Sequence, residues 1–560
     1  MMQNLSRAIV ATQRTLIRSI VTRQLPQDGK NIDDFLKKSP RYIKKTSNSD
    51  SVTRDSHGIK KYYIETYGCQ MNTEDSDVVR TILNDNGFSE VNSDKEADIV
   101  FLNTCSVREH AETKIFNRIG QLRAMSKSMK NDSLLIGILG CMAERLESQL
   151  LDSGVNIASG PDCYKDLPTA INHLENRHDS TEYDVHSEET YSDIISAHKS
   201  GPPSGFITVM RGCNNMCSYC VVPFTRGRER SKPIDTILRE VSYLSSKGYK
   251  EITLLGQNVN SYCDLTQKNT ETQYVTAPGF SNPGIQSHRN GILFHELLKQ
   301  VAEVDPEMRI RFTSPHPKDF PLPVLEVIAS HSNICKQLHI PAQSGSSSCL
   351  HRMNRGYSRE SYMQLIHTIK DVLPNVSLST DIIAGFCGET AEEHKETLSL
   401  LQEVQYDTAF MFAYSMREQS SAFKKYKDDV PQGLKQMRLT EIINTFYDVR
   451  NTTCTKETDQ IQLILLTGTS KHSTKEKMEY IGKNDANKLC IFKDNMIWNN
   501  KDIYISSNNH SNIISENYLN LNSTAPEIGR YVAVKVLKSG PKTNIVQPLY
   551  YTTLKAFYQA

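Results

Sequence analysis

Three cysteines, Cys213, Cys217 and Cys220, lie within eight residues in the spacing C-x3-C-x2-C. Thiolates are soft ligands for zinc or iron–sulfur clusters, and Gly212 and Asn214 allow the backbone to loop around a metal. A structural zinc site takes four protein ligands, and most ferredoxin-type clusters also take four cysteines. Three ligands therefore favour a [4Fe-4S] cluster with one open iron. A zinc loop that borrows a distant fourth ligand is the alternative.

A second trio, Cys69, Cys105 and Cys141, recurs at equal intervals of 36 residues. Each cysteine stands at the end of a predicted strand, the three strands being residues 62–66, 97–105 and 134–141. The carboxyl ends of strands in an open α/β sheet share one edge, where ligands gather. The three thiols are therefore predicted to converge. Three unrelated buried cysteines are the alternative, since buried cysteine is common.

The overall composition is that of a soluble protein of two to four domains. The chain has 560 residues, 38% of them hydrophobic, and a net charge of +1, which neither supports nor excludes nucleic acid as a partner. An odd number of cysteines, thirteen, argues against a secreted disulfide framework and for metal ligation in a reducing compartment. No apolar run is long enough to span a membrane, so no membrane association is predicted.

Residues 1–27 contain four arginines and no acidic residue, and apolar side chains fall on the opposite face of a predicted helix. This composition is typical of a mitochondrial transit peptide and predicts a location in the mitochondrial matrix. A disordered start is the alternative. Residues 28–60 are predicted to be a linker.

The rest of the chain divides into three predicted modules joined by a second linker. Residues 61–172 alternate strands and helices, residues 173–198 are a polar linker, and residues 199–454 repeat a strand–helix unit six times around an inserted loop at 263–291. The six strands are predicted at residues 206–210, 251–255, 309–313, 337–341, 376–383 and 409–414. Such repeats indicate a parallel, barrel-like sheet whose catalytic groups lie at the carboxyl ends of its strands. Residues 455–555 change to short β-segments with lysine-rich loops.

The stretch from Val221 to Ser231, directly after the first trio, resembles the radical S-adenosylmethionine (SAM) methylthiotransferases that modify tRNA. The segments around Cys69, Cys105 and Cys141 are similar to the amino-terminal domain of that family. The resemblance implies an α/β multidomain fold: an N-terminal open α/β sheet, a central partial (β/α)6 radical SAM barrel and a C-terminal small antiparallel β-barrel of the TRAM type. It also implies two [4Fe-4S] clusters, SAM being bound at Cys213, Cys217 and Cys220, and an auxiliary cluster at the other trio.

Polar residues at the strand ends match family positions that could cradle SAM: Tyr219, Gly256, Gln257, Asn258, Ser314, Gln343, Ser344 and Asp381. Arg352, Arg355 and Tyr357 resemble positions near the substrate, whereas His316 reads as a turn residue. Cys387 replaces a proline of the family and is predicted to hold no cluster. Cys163 is read as structural, and Cys263 is unassigned.

The resemblance implies conversion of isopentenyladenosine to 2-methylthio-isopentenyladenosine at position 37, next to the anticodon, in mitochondrial tRNAs. The implied partners are the tRNA anticodon stem-loop, an external electron donor and a sulfur source. The nearest branch of the family is a eukaryotic one described as associated with a regulatory subunit of a cyclin-dependent kinase. Three alternatives remain: methylthiolation of threonylcarbamoyladenosine in tRNA, methylthiolation of an aspartate in a ribosomal protein, and a non-catalytic inhibitor of a kinase activator subunit.

Overall fold

The computed structural model describes residues 61–106, 109–128, 134–176, 190–267, 275–281, 290–474, 477–493, 496–499 and 523–558, with two paired dipeptides, Arg41–Tyr42 and Glu182–Tyr183. The predicted transit peptide, almost all of the 28–60 linker and most of the asparagine-rich stretch after residue 499 lie outside these ranges. Among the described helices, none is both long and apolar enough to cross a bilayer.

The first module is a five-stranded parallel sheet with the strand order β2-β1-β3-β4-β5. Its elements are β1 (Lys61–Tyr67), α1 (Gln70–Asp85), β2 (Ser89–Glu90), β3 (Ile99–Thr104), α2 (Glu109–Ser128), β4 (Leu135–Gly140), α3 (Cys141–Asp152), β5 (Ile157–Ser159) and α4 (Leu167–Asn176). Helices cover both faces, so β3 and β4 are buried along their whole length and read as continuous apolar runs.

The second module contains six parallel strands in sequential order, three on each side of a single parallel bridge between Ile310 and Ile334. Its strands are β6 (Ser204–Thr208), β7 (Met210–Arg211), β8 (Arg230–Ser231), β9 (Glu251–Leu255), β10 (Cys263–Asp264), β11 (Ile292–Leu293), β12 (Arg309–Phe312), β13 (Gln337–His339), β14 (Ser377–Ala384) and β15 (Thr408–Ala413). Its helices are α5 (Val222–Thr225), α6 (Ile234–Ser246), α7 (Phe294–Val304), α8 (Leu322–Ser330), α9 (Ser347–Arg352), α10 (Arg359–Val372), α11 (Ala391–Val404), α12 (Ser421–Lys425) and α13 (Gln432–Thr453). The six barrel strands, β6, β9, β12, β13, β14 and β15, agree with their predicted positions to within two residues.

The third module is a closed barrel of five strands, β16, β17, β18, β21 and β22. Its elements are β16 (Ile461–Thr469), β17 (Glu479–Lys483), β18 (Leu489–Lys493), β19 (Ile497–Trp498), β20 (Ser523–Thr524), β21 (Tyr531–Ser539), β22 (Thr543–Thr552) and α14 (Leu554–Tyr558). Four neighbouring pairs are antiparallel, but β18 and β22 close the ring in parallel. The small β-barrel is thus antiparallel, as predicted, in every neighbouring pair except this closing one. A closed ring with an odd number of strands cannot alternate direction all the way round.

The barrel docks on the second module at the amino ends of its strands. Arg309 and Arg311, both buried at the start of β12, donate to backbone carbonyls of the barrel: Arg309 to Lys483 at 2.9 Å, and Arg311 to Asp485 at 2.7 Å. Arg311 also pairs with the buried Glu251 carboxylate at 2.9 Å. The loop that carries Cys213 follows β6 and β7, near the opposite, carboxyl ends of the same sheet. The two features therefore lie at opposite ends of the strands.

Candidate functional site

The structure places Cys69, Cys105 and Cys141 directly after β1, β3 and β4, at one edge of the first sheet. Cys69 is exposed, Cys105 is partly buried and Cys141 is buried, so the trio lines an opening toward solvent. A hydrogen bond with Cys105 is the main cause that lowers the pKa of Cys69, to about 6. The predicted convergence of these thiols is therefore present in the structure.

Asn72 ties the ends of β1 and β3 together. Its side-chain oxygen accepts from the backbone N–H of Cys69 at 3.2 Å, and its amide donates to Asn103 Oδ1 at 2.9 Å and to the Thr104 carbonyl at 3.1 Å. Cys69 is the N-cap of α1, which begins at Gln70. Cysteine is not a usual N-cap residue, so this helix start is not predictable from residue type.

Cys213, Cys217 and Cys220 lie on the loop between β7 and α5. Gly212 opens the loop with φ +74°, and a Cβ there would lie 1.8 Å from the Arg228 carbonyl oxygen. The backbone of Cys213 donates to the Gly227 carbonyl at 3.3 Å, so the loop folds back against the segment that follows it. Only glycine fits this close approach of two backbone stretches.

N–H groups donate to sulfur atoms in both trios. On the loop of Cys213, Cys217 and Cys220, the backbone of Asn215 donates to Cys213 at 3.4 Å, the backbone of Val222 to Cys220 at 3.4 Å and Arg355 Nη1 to Cys217 at 3.2 Å. In the trio of Cys69, Cys105 and Cys141, Arg226 Nε donates to Cys141 at 3.2 Å. A neutral thiol is a weak acceptor, whereas a thiolate is a strong one, so these donors suit cysteines that bind a metal as thiolates.

Burial is the main cause of the raised pKa values of the thiols on the Cys213 loop. It raises the pKa of Cys213 well above its usual value and raises that of Cys220 to about 12, and the charge of Cys217 adds to both effects. The charge of Cys141 also raises the pKa of Cys220, which shows that the two trios lie within electrostatic reach of one another. Thiolates in such an environment require the charge of a bound cation or cluster. The donor sets thus fit iron–sulfur clusters.

Asp75 connects the two trios through a buried ion cluster that the sequence did not reveal. Its carboxylate accepts from Arg211 at 2.7 Å and from Arg226 at 2.7 Å, and all three side chains are nearly inaccessible to solvent. Arg211 precedes the Cys213 loop and Arg226 follows it, whereas Asp75 lies on α1 just after Cys69. Arg211 also packs against the predicted 173–198 linker, since its guanidinium lies 4.6 Å from the centre of the Tyr191 ring.

The predicted SAM residues occupy several strand ends. Gln257 Oε1 accepts from the Gly212 N–H at 2.5 Å, and a Cβ on Gly256 would meet Met210 Cγ at 2.6 Å, so both lie against the cysteine loop. Gln257 Nε2 and Asn258 Oδ1 are buried and have no hydrogen-bond partner among the described residues. Such atoms suit a polar ligand.

Other predicted SAM positions lie further along the sheet. Ser314 and Gln343 have positive φ values of +57° and +70°, a strained conformation that clusters at functional sites. Asp381 Oδ2 accepts from His339 Nε2 at 3.2 Å, and Ser344 contacts Thr397 on α11 at 3.3 Å. The roles of these residues toward SAM stay predictions.

Arg355, one of the positions predicted to lie near the substrate, contacts the cysteine loop. It donates to the sulfur of Cys217 and to the hydroxyl of Tyr219. His316 is buried, and burial together with Arg355 and Lys318 lowers its pKa well below the usual value. Its neutral ring accepts from the Lys318 backbone at 3.2 Å, as expected of a turn residue. Cys387 packs in an apolar cluster with Phe386.

Two family models match the chain. The Radical SAM superfamily model covers residues 207–401, and the model described as "Uncharacterized protein family UPF0004" covers residues 61–159. These matches confirm the predicted N-terminal domain and radical SAM core, whereas the TRAM identity of the C-terminal barrel stays a prediction.

Known proteins resemble the chain over most of its length. It is 48% identical over 446 residues to "Mitochondrial tRNA methylthiotransferase CDK5RAP1" of Mus musculus, covering 78% of this chain and 74% of the relative. It is 44% identical over 447 residues to "tRNA-2-methylthio-N(6)-dimethylallyladenosine synthase" of Bacteroides fragilis, covering 79% and 91%. Among solved structures, the radical SAM methyltransferase TsrM of Kitasatospora setae superposes with a TM-score of 0.47 at 14% identity, over 65% of this chain and 77% of that one.

Proposed function

Since the chain belongs to the family of radical SAM tRNA methylthiotransferases, we propose that it adds a methylthio group to carbon 2 of N6-dimethylallyladenosine, also called isopentenyladenosine, in tRNA. It is a transferase that uses an iron–sulfur cluster and SAM. Carbon 2 of adenine is unactivated, so its substitution needs the radical chemistry that a bound cluster and SAM supply. The finer assignment is position 37 of mitochondrial tRNAs, modified in the matrix.

One observation carries the proposal: a side chain that follows one cysteine trio contacts a cysteine of the other trio. Arg226, six residues after Cys220, donates to the sulfur of Cys141 at 3.2 Å, and helix α3 packs against helix α5. A flipped-out nucleobase could therefore visit both trios without a large movement of either module. RNA bases in single-stranded loops are readily splayed out in this way.

We assign each trio one [4Fe-4S] cluster, the one at Cys213, Cys217 and Cys220 binding SAM. The protein's own contribution is to hold the thiolates, to donate hydrogen bonds to them through Arg355, Arg226 and backbone N–H groups, and to keep water from the buried thiols Cys213, Cys217 and Cys141. An external reductant must supply electrons, and a separate donor must supply sulfur, because the described residues offer neither.

The C-terminal barrel is the proposed contact to the tRNA backbone. Lys493 and Lys538 are exposed on β18 and β21, and Lys535 lies on the same module. Lysines on a small β-barrel suit phosphate contacts, which position RNA without reading its sequence.

The test is nucleoside mass spectrometry of mitochondrial tRNA from cells that lack the protein and from cells that express variants. We expect the methylthio mark to disappear while its unmodified precursor accumulates, and neither Cys213→Ala nor Cys141→Ala to restore it. The control variant Cys163→Ala, which lies outside both trios, should restore it. Loss of a methylthio mark on threonylcarbamoyladenosine instead would identify the other tRNA substrate. Full restoration by Cys213→Ala would favour the non-catalytic role and refute the proposal.

A further inference from the structure

The ion cluster of Asp75, Arg211 and Arg226 carries more positive than negative charge. Two guanidiniums share a single carboxylate, and the three residues are at most 3% exposed. Arg226 Nη1, Arg211 Nε and Arg211 Nη1 are buried without a hydrogen-bond partner among the described residues. An unpaired buried charge is strongly unfavourable, so the site needs another anion.

The contacts of Arg226 identify where that anion lies. Besides its pair with Asp75, Arg226 donates through Nε to the Cys141 sulfur at 3.2 Å. Asp162, a nearby carboxylate, is already paired with Arg230 at 3.0 Å. The thiolates of Cys141 and its companions Cys69 and Cys105 are the remaining source of negative charge.

We propose that Arg226 is a positioning residue that fixes the Cys141 thiolate and raises the reduction potential of the auxiliary cluster at Cys69, Cys105 and Cys141. This inference rests on the proposed function, which places a cluster there. A positive charge and an N–H···S hydrogen bond both stabilise the more negative, reduced form of a cluster. Because Arg226 lies on the segment that follows the SAM-site loop, the same contact also fixes the auxiliary site relative to that loop.

The test separates the auxiliary cluster from the other one. The full-length parent variant carries Cys213→Ala, Cys217→Ala and Cys220→Ala, so that only Cys69, Cys105 and Cys141 can bind a cluster after anaerobic reconstitution. Iron content and the midpoint potential, followed by electron paramagnetic resonance, are then measured for this parent, for the parent with Arg226→Gln and for the parent with Arg226→Lys. The matched control is Arg80→Gln, which removes a buried arginine of α1 that pairs with Asp77 and Glu90.

We expect Arg226→Gln to raise the ratio of oxidised to reduced cluster at a fixed potential by tenfold or more. Tenfold corresponds to a decrease of about 59 mV in the midpoint potential for one electron. Arg226→Lys, which keeps the charge, should shift less, and Arg80→Gln should not shift. An unchanged potential in Arg226→Gln with full iron content would overturn the inference. If the Arg226→Gln variant binds no iron, the iron content of the Arg226→Lys variant becomes the test. Iron retained in Arg226→Lys supports the role of the charge, and iron lost in Arg226→Lys refutes it. A parent that binds no iron would contradict the auxiliary cluster itself. The expected potentials in these variants, together with no tRNA methylthiolation by the wild-type protein, would contradict only the proposed function.

Discussion

Replacing Gly212 by alanine should abolish the cluster at Cys213, Cys217 and Cys220 and spare the other. The new Cβ would lie 1.8 Å from the Arg228 carbonyl oxygen and 2.7 Å from that of Gly227. Both obstacles are backbone, so the loop itself must shift by roughly 1 Å, whereas metal–ligand distances tolerate only about 0.2 Å. The left-handed conformation of Gly212, φ +74°, costs a further 1–2 kcal/mol or so for an L-residue.

The assay is iron and sulfide content after anaerobic reconstitution, combined with the spectral change on adding SAM. We expect Gly212→Ala to fall from about eight irons per chain to about four, the content of one cubane, and to lose its response to SAM. Gly68→Ala is the mirror experiment, since its Cβ would lie 2.2 Å from Asn72 Oδ1 and 3.0 Å from Cys105 Cβ, and it should keep the SAM response. Gly433→Ala, with open space in α13, is the control. Two intact clusters in Gly212→Ala would refute the reasoning.

Two further predictions concern stability. Arg311→Met leaves the Glu251 carboxylate buried with Arg309, at 4.0 Å, as its remaining ion-pair partner among the described residues, and should destabilise barrel docking by about 3–5 kcal/mol. Adding Glu251→Leu to Arg311→Met should recover part of this loss. The free energies of unfolding are measured by denaturant titration, followed through the fluorescence of Trp498, the single tryptophan. If the effects of the two substitutions simply added, the pairing of Arg311 with Glu251 would be contradicted. Burial, aided by the charge of Glu240, raises the pKa of Glu74 well above its usual value, so the folded state retains a proton that the unfolded chain loses above about pH 4.3. The contribution of Glu74 to stability should therefore fall as pH rises past that value. The melting temperature of Glu74→Gln should increase relative to that of wild type between pH 5 and pH 8. If the difference between the two melting temperatures were the same at both pH values, the prediction would be contradicted.

The positions of the six cysteines could be predicted because each depends on local pattern. Cys69, Cys105 and Cys141 each follow a predicted strand of an alternating strand–helix pattern, and parallel strands bring their carboxyl ends to one edge. The loop at Cys213 is specified by its own spacing and by Gly212. The fold class could be predicted for the same reason, since strand and helix periodicities extend over many residues.

The ion pairs that join the modules could not be predicted, because nothing local distinguishes their members. Asp75 and Arg226 are 151 residues apart, and each would be read alone as an ordinary surface charge on a helix or loop. Arg311 and the Asp485 carbonyl are separated by 174 residues. Charges are solvated unless tertiary structure buries them, so their pairing becomes visible only when the modules are packed together.

The packing of the modules also constrains how an RNA can bind. The C-terminal barrel is anchored at the amino ends of β9 and β12 by Arg309 and Arg311, whereas the cysteine loop follows the carboxyl end of β6. A strand of five residues such as β9 spans about 17 Å at 3.3 Å per residue. Under the proposed function, an RNA that contacts the barrel lysines while presenting a base to the clusters must extend at least that far along the sheet. A stem attached to the modified loop meets this requirement because its phosphates continue away from the base, whereas an isolated nucleoside could occupy only the cluster end.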